Sequence, residues 1–315
     1  MVRMHLGSGD LAIVVVNYGS AALLRQNLAP LAASLPDATI VVVDNFTSEA
    51  ERDTVVKLCT ARGWLCEASA VNLGFGVGIN LGVARARDAG ATHFLLLNPD
   101  AVLTAASVER LLEAVRSDPF AAVAPTVLRP DGSLWFGGAD LYLADGRIRS
   151  RARRDDAART EPWLSGACVM ISAELWGAVG GFSDAYFLYW EDVDLSHRIL
   201  EAGGRLELAD GATAVHAEGG TQGVSAESSG ASKSTLYYYY NIRNRLLFAS
   251  RNLGMEDLRA WKRVTLPVAW EVLLEGGRRQ FLRSPRPVIA AARGMRDGLR
   301  IARREQRLRA GKERS

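Results

Sequence analysis

Short runs of β-branched and aliphatic residues alternate along the first third of the chain with longer, helix-patterned segments. Residues 11–17, 39–45 and 93–100 are nearly continuous apolar runs, and each ends in Asn or Asp. Runs of this kind are typical of strands buried on both faces of a parallel sheet. The segments between the first strands, 21–35 and 48–62, predict helices. This alternation predicts an α/β fold, with a Rossmann-like, mostly parallel sheet flanked by helices.

The same pattern continues more weakly to residue 250. It predicts strands at 64–69, 121–128, 163–171, 205–209 and 214–216, short glycine-interrupted strands within 134–149, and helices at 104–117, 173–179, 191–202 and 234–252. Arg and Asp blocks in 151–160 predict a mobile loop, and Gly and Ser in 219–234 predict a flexible one. Lys233 in that second loop could clamp a phosphate. We expect one domain over 1–250 and a helical, basic C-terminal extension over 251–315.

The composition is that of an ordinary folded protein, with a formal net charge of +3. Cys59, Cys66 and Cys168 are too few and too irregularly spaced for a disulfide framework or a zinc site, which indicates reduced thiols. Residues 1–10 lack the apolar core of a signal peptide, and no stretch approaches the ~18 apolar residues of a membrane span. We therefore expect a cytoplasmic protein, with peripheral contact to the inner face of the membrane left open.

Basic residues dominate the end of the chain. From Arg278 onward there are thirteen Lys or Arg against three acidic residues. An apolar stripe runs through the same segment, at Val288, Ile289, Ala292, Met295, Leu299 and Ala302. A basic amphipathic helix either lies on anionic lipid or packs on its own domain and stays solvated, and the sequence favours neither. No stacking platform or nucleic-acid-binding motif accompanies it, so we expect no nucleic acid partner.

A glycine-rich stretch at 71–82 opens the helix that runs to Asp88. Its spacing is neither that of a dinucleotide-binding loop nor that of a Walker A loop, and it does not follow the first strand. Two interpretations remain. The glycines allow close helix packing, or they hold the backbone near a nucleotide or diphosphate at a helix N-terminus.

Asn98-Pro-Asp100 directly follows the apolar strand at 93–97. Oxygen ligands at a strand end are sufficient for a Mg²⁺ or Mn²⁺ ion that also binds substrate phosphates. The same three residues are also good turn formers, which is the alternative. His216 ends a short apolar run and is either structural or a further ligand.

An aromatic segment leads into three carboxylates at 186–198. Glu191, Asp192 and Asp194 follow Tyr186-Phe-Leu-Tyr-Trp190 and begin a predicted helix. Carboxylates are rarely buried unless they are paired or used, and burial raises their pKa. Capping of the positive end of the helix dipole explains one or two of them. It does not explain the preceding aromatic residues, so we favour a catalytic carboxylate here.

Taken together, these segments resemble a family 2 glycosyltransferase, in the group that includes bacterial rhamnosyltransferases. The resemblance covers residues 11–250 and rests on motifs in the family's order: Val14-Val-Val-Asn-Tyr, Val41-Val-Val-Asp-Asn, Asn72-Leu-Gly-Phe-Gly-Val-Gly-Ile-Asn, Leu95-Leu-Leu-Asn-Pro-Asp, Trp163-Leu-Ser-Gly-Ala, Gly180-Gly-Phe and Tyr189-Trp-Glu-Asp-Val-Asp-Leu-Ser-His-Arg. It implies a GT-A fold and an inverting transfer from a dTDP- or UDP-sugar, with L-rhamnose as a candidate, to an acceptor hydroxyl, lipid-linked or soluble.

The resemblance also implies roles for individual residues. Asp192 would be the base and Glu191 would orient the acceptor or support it. Asp100, with His216, would hold Mg²⁺ or Mn²⁺, although the family's Asp-x-Asp motif has Asn98 in its first place and therefore lacks one charge. The donor would be bound by residues near the strand ends and at the two helix starts, namely Asn17, Asp44, Asn72, Gly74, Asn98 and Arg198. Arg198 either holds the diphosphate or only stabilises its helix.

Three other classes of protein are alternatives to a glycosyltransferase. A sugar nucleotidyltransferase would need a glycine-rich basic loop after the first strand, which Asn17-Tyr-Gly-Ser-Ala does not supply. A dehydrogenase would need the absent dinucleotide fingerprint. A non-catalytic sugar-binding or scaffold protein is supported by Asn98, but the retained Asp100, Glu191 and Asp192 argue against it.

Overall fold

The computed structural model describes residues 9–216 and 233–312. The chain forms two compact units. Among the described residues, the first unit contains 9–139, 162–187 and 191–216, and the second contains 140–161, 188–190 and 233–312. Most of the predicted loop at 219–234 and the first eight residues lie outside the described residues. The predicted boundary near residue 250 stays a prediction.

Twelve strands are numbered in chain order within the described ranges. They are β1 (Leu11–Asn17), β2 (Thr39–Asp44), β3 (Leu65–Ala68), β4 (His93–Leu97), β5 (Ala101–Leu103), β6 (Ala121–Leu128), β7 (Leu134–Phe136), β8 (Ala139–Tyr142), β9 (Ile148–Ser150), β10 (Thr160–Trp163), β11 (Cys168–Ser172) and β12 (Arg205–His216).

Twelve α-helices lie in the same ranges. They are α1 (Ala21–Leu23), α2 (Ala29–Ser34), α3 (Glu49–Arg62), α4 (Phe75–Asp88), α5 (Ala105–Ser117), α6 (Ala173–Val179), α7 (Glu191–Glu201), α8 (Thr235–Asn252), α9 (Met255–Arg263), α10 (Thr265–Leu274), α11 (Gln280–Arg283) and α12 (Arg286–Lys312). A π-helical turn at Leu24–Leu28 joins α1 to α2, and a 3-10 turn follows β9.

The first unit is built on one large sheet in the order β3-β2-β1-β4-β11-β6-β12-β5, with β7 beside β6. Strands β3, β2, β1 and β4 are parallel, whereas β11 is antiparallel to both of its neighbours. The residues of β1 are all buried, as its continuous apolar run predicts. The α/β fold class is therefore confirmed, with parallel pairing in the first half and mixed pairing in the second.

The glycine face of α4 packs directly on this sheet. A Cβ at Gly78 would lie 3.0 Å from Val16 Cγ2, and one at Gly82 would overlap Val14. Small residues let a helix approach a strand closely, so these two glycines support the packing interpretation of the glycine-rich stretch. Three of the predicted strand ranges differ from the structure. The ranges 205–209 and 214–216 are parts of the single strand β12, whose register shifts between Leu208 and Thr213. The range 163–171, predicted as one strand, covers the end of β10 and most of β11, with no strand between them.

The second unit contains α8–α12 and most of a three-stranded sheet in the order β10-β8-β9. The segment 151–160, predicted to be a mobile loop, contacts β8 through two arginines. Arg154 donates to the buried carboxylate of Asp140 through Nε at 2.8 Å and Nη2 at 2.5 Å. Arg151 approaches the same carboxylate at 3.9 Å. The mobility of the segment stays a prediction.

Helix α12 is amphipathic, and its buried line overlaps the predicted apolar stripe in part, because Ala302 is buried and Met295 packs against a buried cluster of this unit. Gly294 packs on the carbonyl group of Tyr239 and Gly298 on Leu246, both in α8. Val288 and Ile289 are exposed instead. Small residues are buried because two helix backbones approach closely there. None of the helices in the described ranges is both long and apolar enough to span a bilayer.

Candidate active site

Polar residues collect at the carboxyl ends of β1, β2 and β4 in the first unit. The β1–β2 register pairs Asn17 with Asp44, and Ser69 donates its backbone N–H to the Asp44 carbonyl group at 2.9 Å. Asn98 directly follows β4, which is parallel to β1. Ligands of open α/β sheets bind along this edge. Asn17, Asp44 and Asn98 therefore lie at the end of the sheet where the sequence predicts them.

Asp44 is 1% exposed, and an arginine that the sequence had not singled out binds it. Nε of Arg52, in the first turn of α3, lies 3.1 Å from Asp44 Oδ2, and Nη2 of the same side chain donates to the Ser69 carbonyl group. Within the part of the chain that the structure describes, Asp44 Oδ1 has no hydrogen-bond partner. Because a buried carboxylate oxygen is costly to leave unpaired, this atom is a candidate donor-binding group.

Asn45 organises the loop that contains Asn72 and Gly74. Its Nδ2 donates to Asn72 Oδ1 at 3.0 Å and to the Gly74 carbonyl group at 3.1 Å, and its Oδ1 accepts from Leu73 N at 2.7 Å. Gly74 has φ +82°, and a Cβ there would overlap the carbonyl oxygen of Phe187. Gly74 is therefore required for close packing, whatever it contributes to binding.

Asn17 is engaged within its own turn. Its Oδ1 accepts from Ser20 N at 3.2 Å and from Ser20 Oγ at 2.9 Å, and its Nδ2 lies 3.4 Å from Glu51 Oε1. Glu51 also accepts from Ala21 N at 2.7 Å. These bonds fix the turn after β1, so Asn17 shapes the edge near Asp44 while its side chain is already satisfied.

A short backbone path joins the end of β4 to the start of α7. Asn98 N donates to the Ala167 carbonyl group at 2.9 Å, and Gly166 N donates to Asp192 Oδ2 at 3.0 Å. A second bond, from Val193 N at 2.9 Å, holds Asp192 Oδ1. The structure thus brings the predicted base to the same end of the sheet as Asn98, and two consecutive residues, Gly166 and Ala167, connect them.

Asp100 and His216 lie together, as predicted for two ligands of one cation. His216 Nε2 is 3.0 Å from Asp100 Oδ1, but the two groups form no aligned hydrogen bond. Trp135 packs on the imidazole, with ring centroids 4.6 Å apart. Two neighbouring ligands at the ~2.1 Å bond length of an octahedral cation lie about 3 Å apart, so these residues fit a shared Mg²⁺ or Mn²⁺. The described ranges contain no cluster of three or more His, Cys, Asp or Glu side chains suited to a metal.

The carboxylates at the start of α7 are both electrostatically perturbed. Burial, followed by the neighbouring Asp192 charge, raises the pKa of Glu191 well above its usual range, and Glu191 Oε2 has no hydrogen-bond partner among the described residues. Burial also raises the pKa of Asp192, against hydrogen bonds from the Gly166 and Val193 N–H groups that lower it. Two adjacent carboxylates with raised pKa values are suited to proton transfer near neutral pH.

Arg198 stabilises its own helix in this structure. Its Nε donates to Asp194 Oδ2 at 2.8 Å and its Nη1 to the Val179 carbonyl group at 2.5 Å. This geometry matches the structural alternative given above for Arg198. Asn98, by contrast, makes no side-chain hydrogen bond to any residue within 9–216 or 233–312, so its amide is available.

The raised pKa of Glu191 predicts how the stability of the fold depends on pH. The folded protein retains this proton to higher pH than the unfolded chain, where Glu titrates near about 4.3, so stability is lost as pH rises above that value. A Glu191→Gln protein avoids this loss. We expect it to be more stable than wild type by about 1 kcal/mol at pH 7.5, or ~2–4 °C in Tm, with the gain vanishing near pH 4. Thermal unfolding across pH measures it.

Glu201→Gln, at the exposed end of the same helix, is the matched control and should change little at either pH. A Glu191→Gln effect that is equal at pH 4 and pH 7.5 would contradict the burial argument.

Sequence reasoning missed the residues that support this edge. Arg52, Glu51, Asn45, Trp135 and Gly166 each contact a predicted site residue. Asn45 and Gly166 belong to two of the family motifs quoted above, so those motifs could have identified them. The other three lie in elements with no distinguishing pattern.

Comparison with known proteins identifies the family. Residues 8–271 match the model of glycosyltransferase like family 2, which is most of the chain. The chain belongs to this glycosyltransferase family.

Curated relatives include rhamnosyltransferases. The chain is 30% identical over 220 residues to the N-acetylglucosaminyl-diphospho-decaprenol L-rhamnosyltransferase of Mycobacterium tuberculosis, covering 61% of this chain and 71% of that protein. It is 24% identical over 224 residues to rhamnosyltransferase WbbL of Escherichia coli, covering 65% and 82%. The recognised resemblance to this group is confirmed.

Solved structures show the same fold at low sequence identity. The mannosyltransferase PcManGT from Pyrobaculum calidifontis, in complex with GDP-Man and Mn²⁺, has a TM-score of 0.54 at 16% identity, covering 93% of this chain and 85% of that one. GalNAc-T7 with UDP, GalNAc and Mn²⁺ also has a TM-score of 0.54, at 14% identity, with 84% of this chain aligned to 56% of that chain. The fold is therefore of the GT-A type.

Proposed function

We propose that this protein transfers a sugar, with L-rhamnose as the first candidate, from a nucleotide-diphosphate donor to an acceptor hydroxyl, with inversion at the anomeric carbon. The observation that carries the proposal is the backbone path from Asn98 through Ala167 and Gly166 to Asp192. It links the carboxylate with a raised pKa to the turn that contains Asp100, where cation and diphosphate would bind.

Asp192 is the proposed general base. It would take the proton of the acceptor hydroxyl as that oxygen attacks the sugar from the face opposite the leaving group. The N–H groups of Gly166 and Val193 fix both of its oxygens and therefore its orientation. Glu191 is more deeply buried, and its unpaired Oε2 is proposed to accept a hydrogen bond from the acceptor.

The proposed cation is Mg²⁺ or Mn²⁺, held by Asp100 and His216. When bound, it would stabilise the charge that develops on the nucleoside diphosphate leaving group. The Asn98 amide oxygen is a neutral ligand candidate, so this site would carry less negative charge than one with two aspartates. The diphosphate and water would supply the remaining ligands.

The donor nucleoside is proposed to bind at the ends of β1 and β2, against Asp44 Oδ1. Arg52 already neutralises the other oxygen of that carboxylate, which leaves Oδ1 for a hydrogen bond from a nucleobase N–H or a ribose hydroxyl. A dTDP-sugar is the first candidate because relatives are L-rhamnosyltransferases, and a UDP-sugar is the second. For the acceptor we propose a lipid-linked saccharide at the cytoplasmic face of the membrane, with a soluble aglycone as the alternative.

Donor binding can be tested by thermal shift with a panel of nucleotide sugars, each with and without Mn²⁺. At a hundred times Kd, a donor adds roughly 2.7 kcal/mol to stability. We expect one dTDP- or UDP-sugar to raise Tm, and the rise to need Mn²⁺. Asp100→Asn should remove at least half of that rise, whereas Asp131→Asn, in an exposed turn of the first unit, should leave it unchanged.

A shift that does not depend on Mn²⁺ would contradict the role of Asp100. No shift with any nucleotide sugar would favour a scaffold function.

A further inference from the structure

The second unit exposes several large apolar side chains around two stacked rings. The rings of Trp270, in α10, and Phe281, in α11, lie 5.6 Å apart and 8° from parallel. Trp270 is 52% exposed, Leu266 one turn earlier on α10 is 68% exposed, and Leu282 is 90% exposed. Together with Val288 and Ile289 at the start of α12, these residues form what we term the apolar face: Leu266, Trp270, Phe281, Leu282, Val288 and Ile289.

A buried cluster involves the same helices. Ala269 and Leu273 of α10 pack there with Ala290 and Ala291 of α12 and with Tyr238 and Ile242 of α8. Leu266 and Trp270, on the same helix as Ala269 and Leu273, stay exposed. Because soluble monomers rarely leave many large apolar side chains exposed in one region, these residues mark an interaction surface.

Arginines with no local partner surround the apolar face. Arg278, Arg279, Arg283 and Arg286 are all exposed, and none forms an ion pair with another residue in the described ranges. The sequence has no Asp or Glu between Glu275 and Asp297. The face therefore presents apolar rings and chains bordered by four uncompensated positive charges.

We propose that the apolar face docks the protein onto the surface of an anionic lipid bilayer. Trp, Phe and Leu side chains insert at the level of the headgroups, and Arg guanidinium groups remain at the polar boundary beside lipid phosphates. Each basic residue near an anionic surface adds attraction that salt screens. A second copy of this chain fits less well, because the same four arginines would then face each other.

This docking surface goes beyond the proposed transfer reaction and does not rest on it. None of its residues belongs to the proposed donor, metal or base sites, which are all in the first unit. The sequence suggested that the whole basic C-terminal helix could lie on lipid. In the structure, α8 covers the side of α12 that contains Gly294 and Gly298, and only the first turn of α12 contributes to the apolar face.

Co-sedimentation of the full chain with vesicles tests the proposal. We expect binding to vesicles of phosphatidylcholine with about 30% phosphatidylglycerol, and weak binding to phosphatidylcholine alone. Leu266→Glu/Leu282→Glu should reduce the binding constant about tenfold or more, and Arg278→Glu/Arg279→Glu should do the same. All four positions are exposed, so folding is expected to be retained and can be verified by circular dichroism.

Matched controls come from the far end of α12. Leu308 is 54% exposed, and it lies 22 residues beyond Arg286, which is about 33 Å along the helix. Leu308→Glu and Arg304→Glu/Arg307→Glu should change binding less than about twofold, against the tenfold loss above.

Each other outcome overturns the proposal. Equal losses in the controls would show that the whole basic extension acts by charge alone. Equal binding to neutral vesicles, or no binding to either, would exclude an anionic membrane as the partner. A lipid-free dimer that Leu282→Glu dissociates would assign the face to a second copy. Because none of these readouts needs turnover, failure here is separate from failure of the transferase proposal.

Discussion

Replacement of Asp192 by Asn is expected to lower kcat by about 10²–10⁴-fold, the usual contribution of a general base. The change keeps the shape of the side chain and removes its ability to take a proton. Only one of the two backbone donors, Gly166 N–H or Val193 N–H, would still meet an oxygen. We therefore also expect a stability loss of about 1–3 kcal/mol, which unfolding measurements would separate from the catalytic loss.

Asp184→Asn is the matched control, since Asp184 is exposed and lies in the segment that precedes the same helix. It should retain wild-type turnover. Donor binding by Asp192→Asn, followed by thermal shift, should also stay near wild type because the proposed base does not bind the nucleotide. A folded Asp192→Asn protein with more than about a tenth of wild-type turnover would contradict the assignment of the base.

Among glycine-to-alanine substitutions in the first unit, Gly74→Ala is expected to be the most destabilising. The backbone there has φ +82° and ψ 176°, a region that is essentially restricted to glycine and costs another residue on the order of 1–3 kcal/mol. The new methyl group would also overlap the Phe187 carbonyl oxygen, which accepts a hydrogen bond from Phe75 N at 3.1 Å. We expect a total loss of about 3–5 kcal/mol, measured by denaturant unfolding.

Gly132→Ala separates the two causes. Gly132 has φ +81°, almost the same φ as Gly74, but a Cβ there meets nothing within 4 Å. It should lose only about 1 kcal/mol. Equal losses for the two variants would show that backbone conformation alone makes Gly74 necessary, and would contradict the close approach to Phe187.

The sheet edge was predictable because its signal is local. Continuous apolar runs that end in Asn or Asp identify β1, β2 and β4 and place Asn17, Asp44 and Asn98 at one edge. The pairing of Asp100 with His216 was suggested only by the family resemblance, since β12 brings His216 beside that turn from more than a hundred residues away.

The features that could not be predicted depend on tertiary contacts. Arg52 reaches Asp44 only because the loop between them folds back, with Phe46 at φ +30° under the guanidinium. The aromatic residues before Glu191 had favoured a catalytic interpretation, but Trp190 packs on Phe248 and Trp261 in the second unit. The burial of Trp190 serves packing within that unit, and the raised pKa of Glu191 follows from its own burial and from Asp192.

The central claim is that this chain turns over a nucleotide sugar. Its most direct test is release of nucleoside diphosphate from dTDP-L-rhamnose and related donors, with Mn²⁺ present and with and without a lipid-linked saccharide acceptor. We predict release with at least one donor, slow by hydrolysis and faster with acceptor, and a product of inverted anomeric configuration. Binding of a donor with no release under any of these conditions would contradict the claim and leave a sugar-binding scaffold.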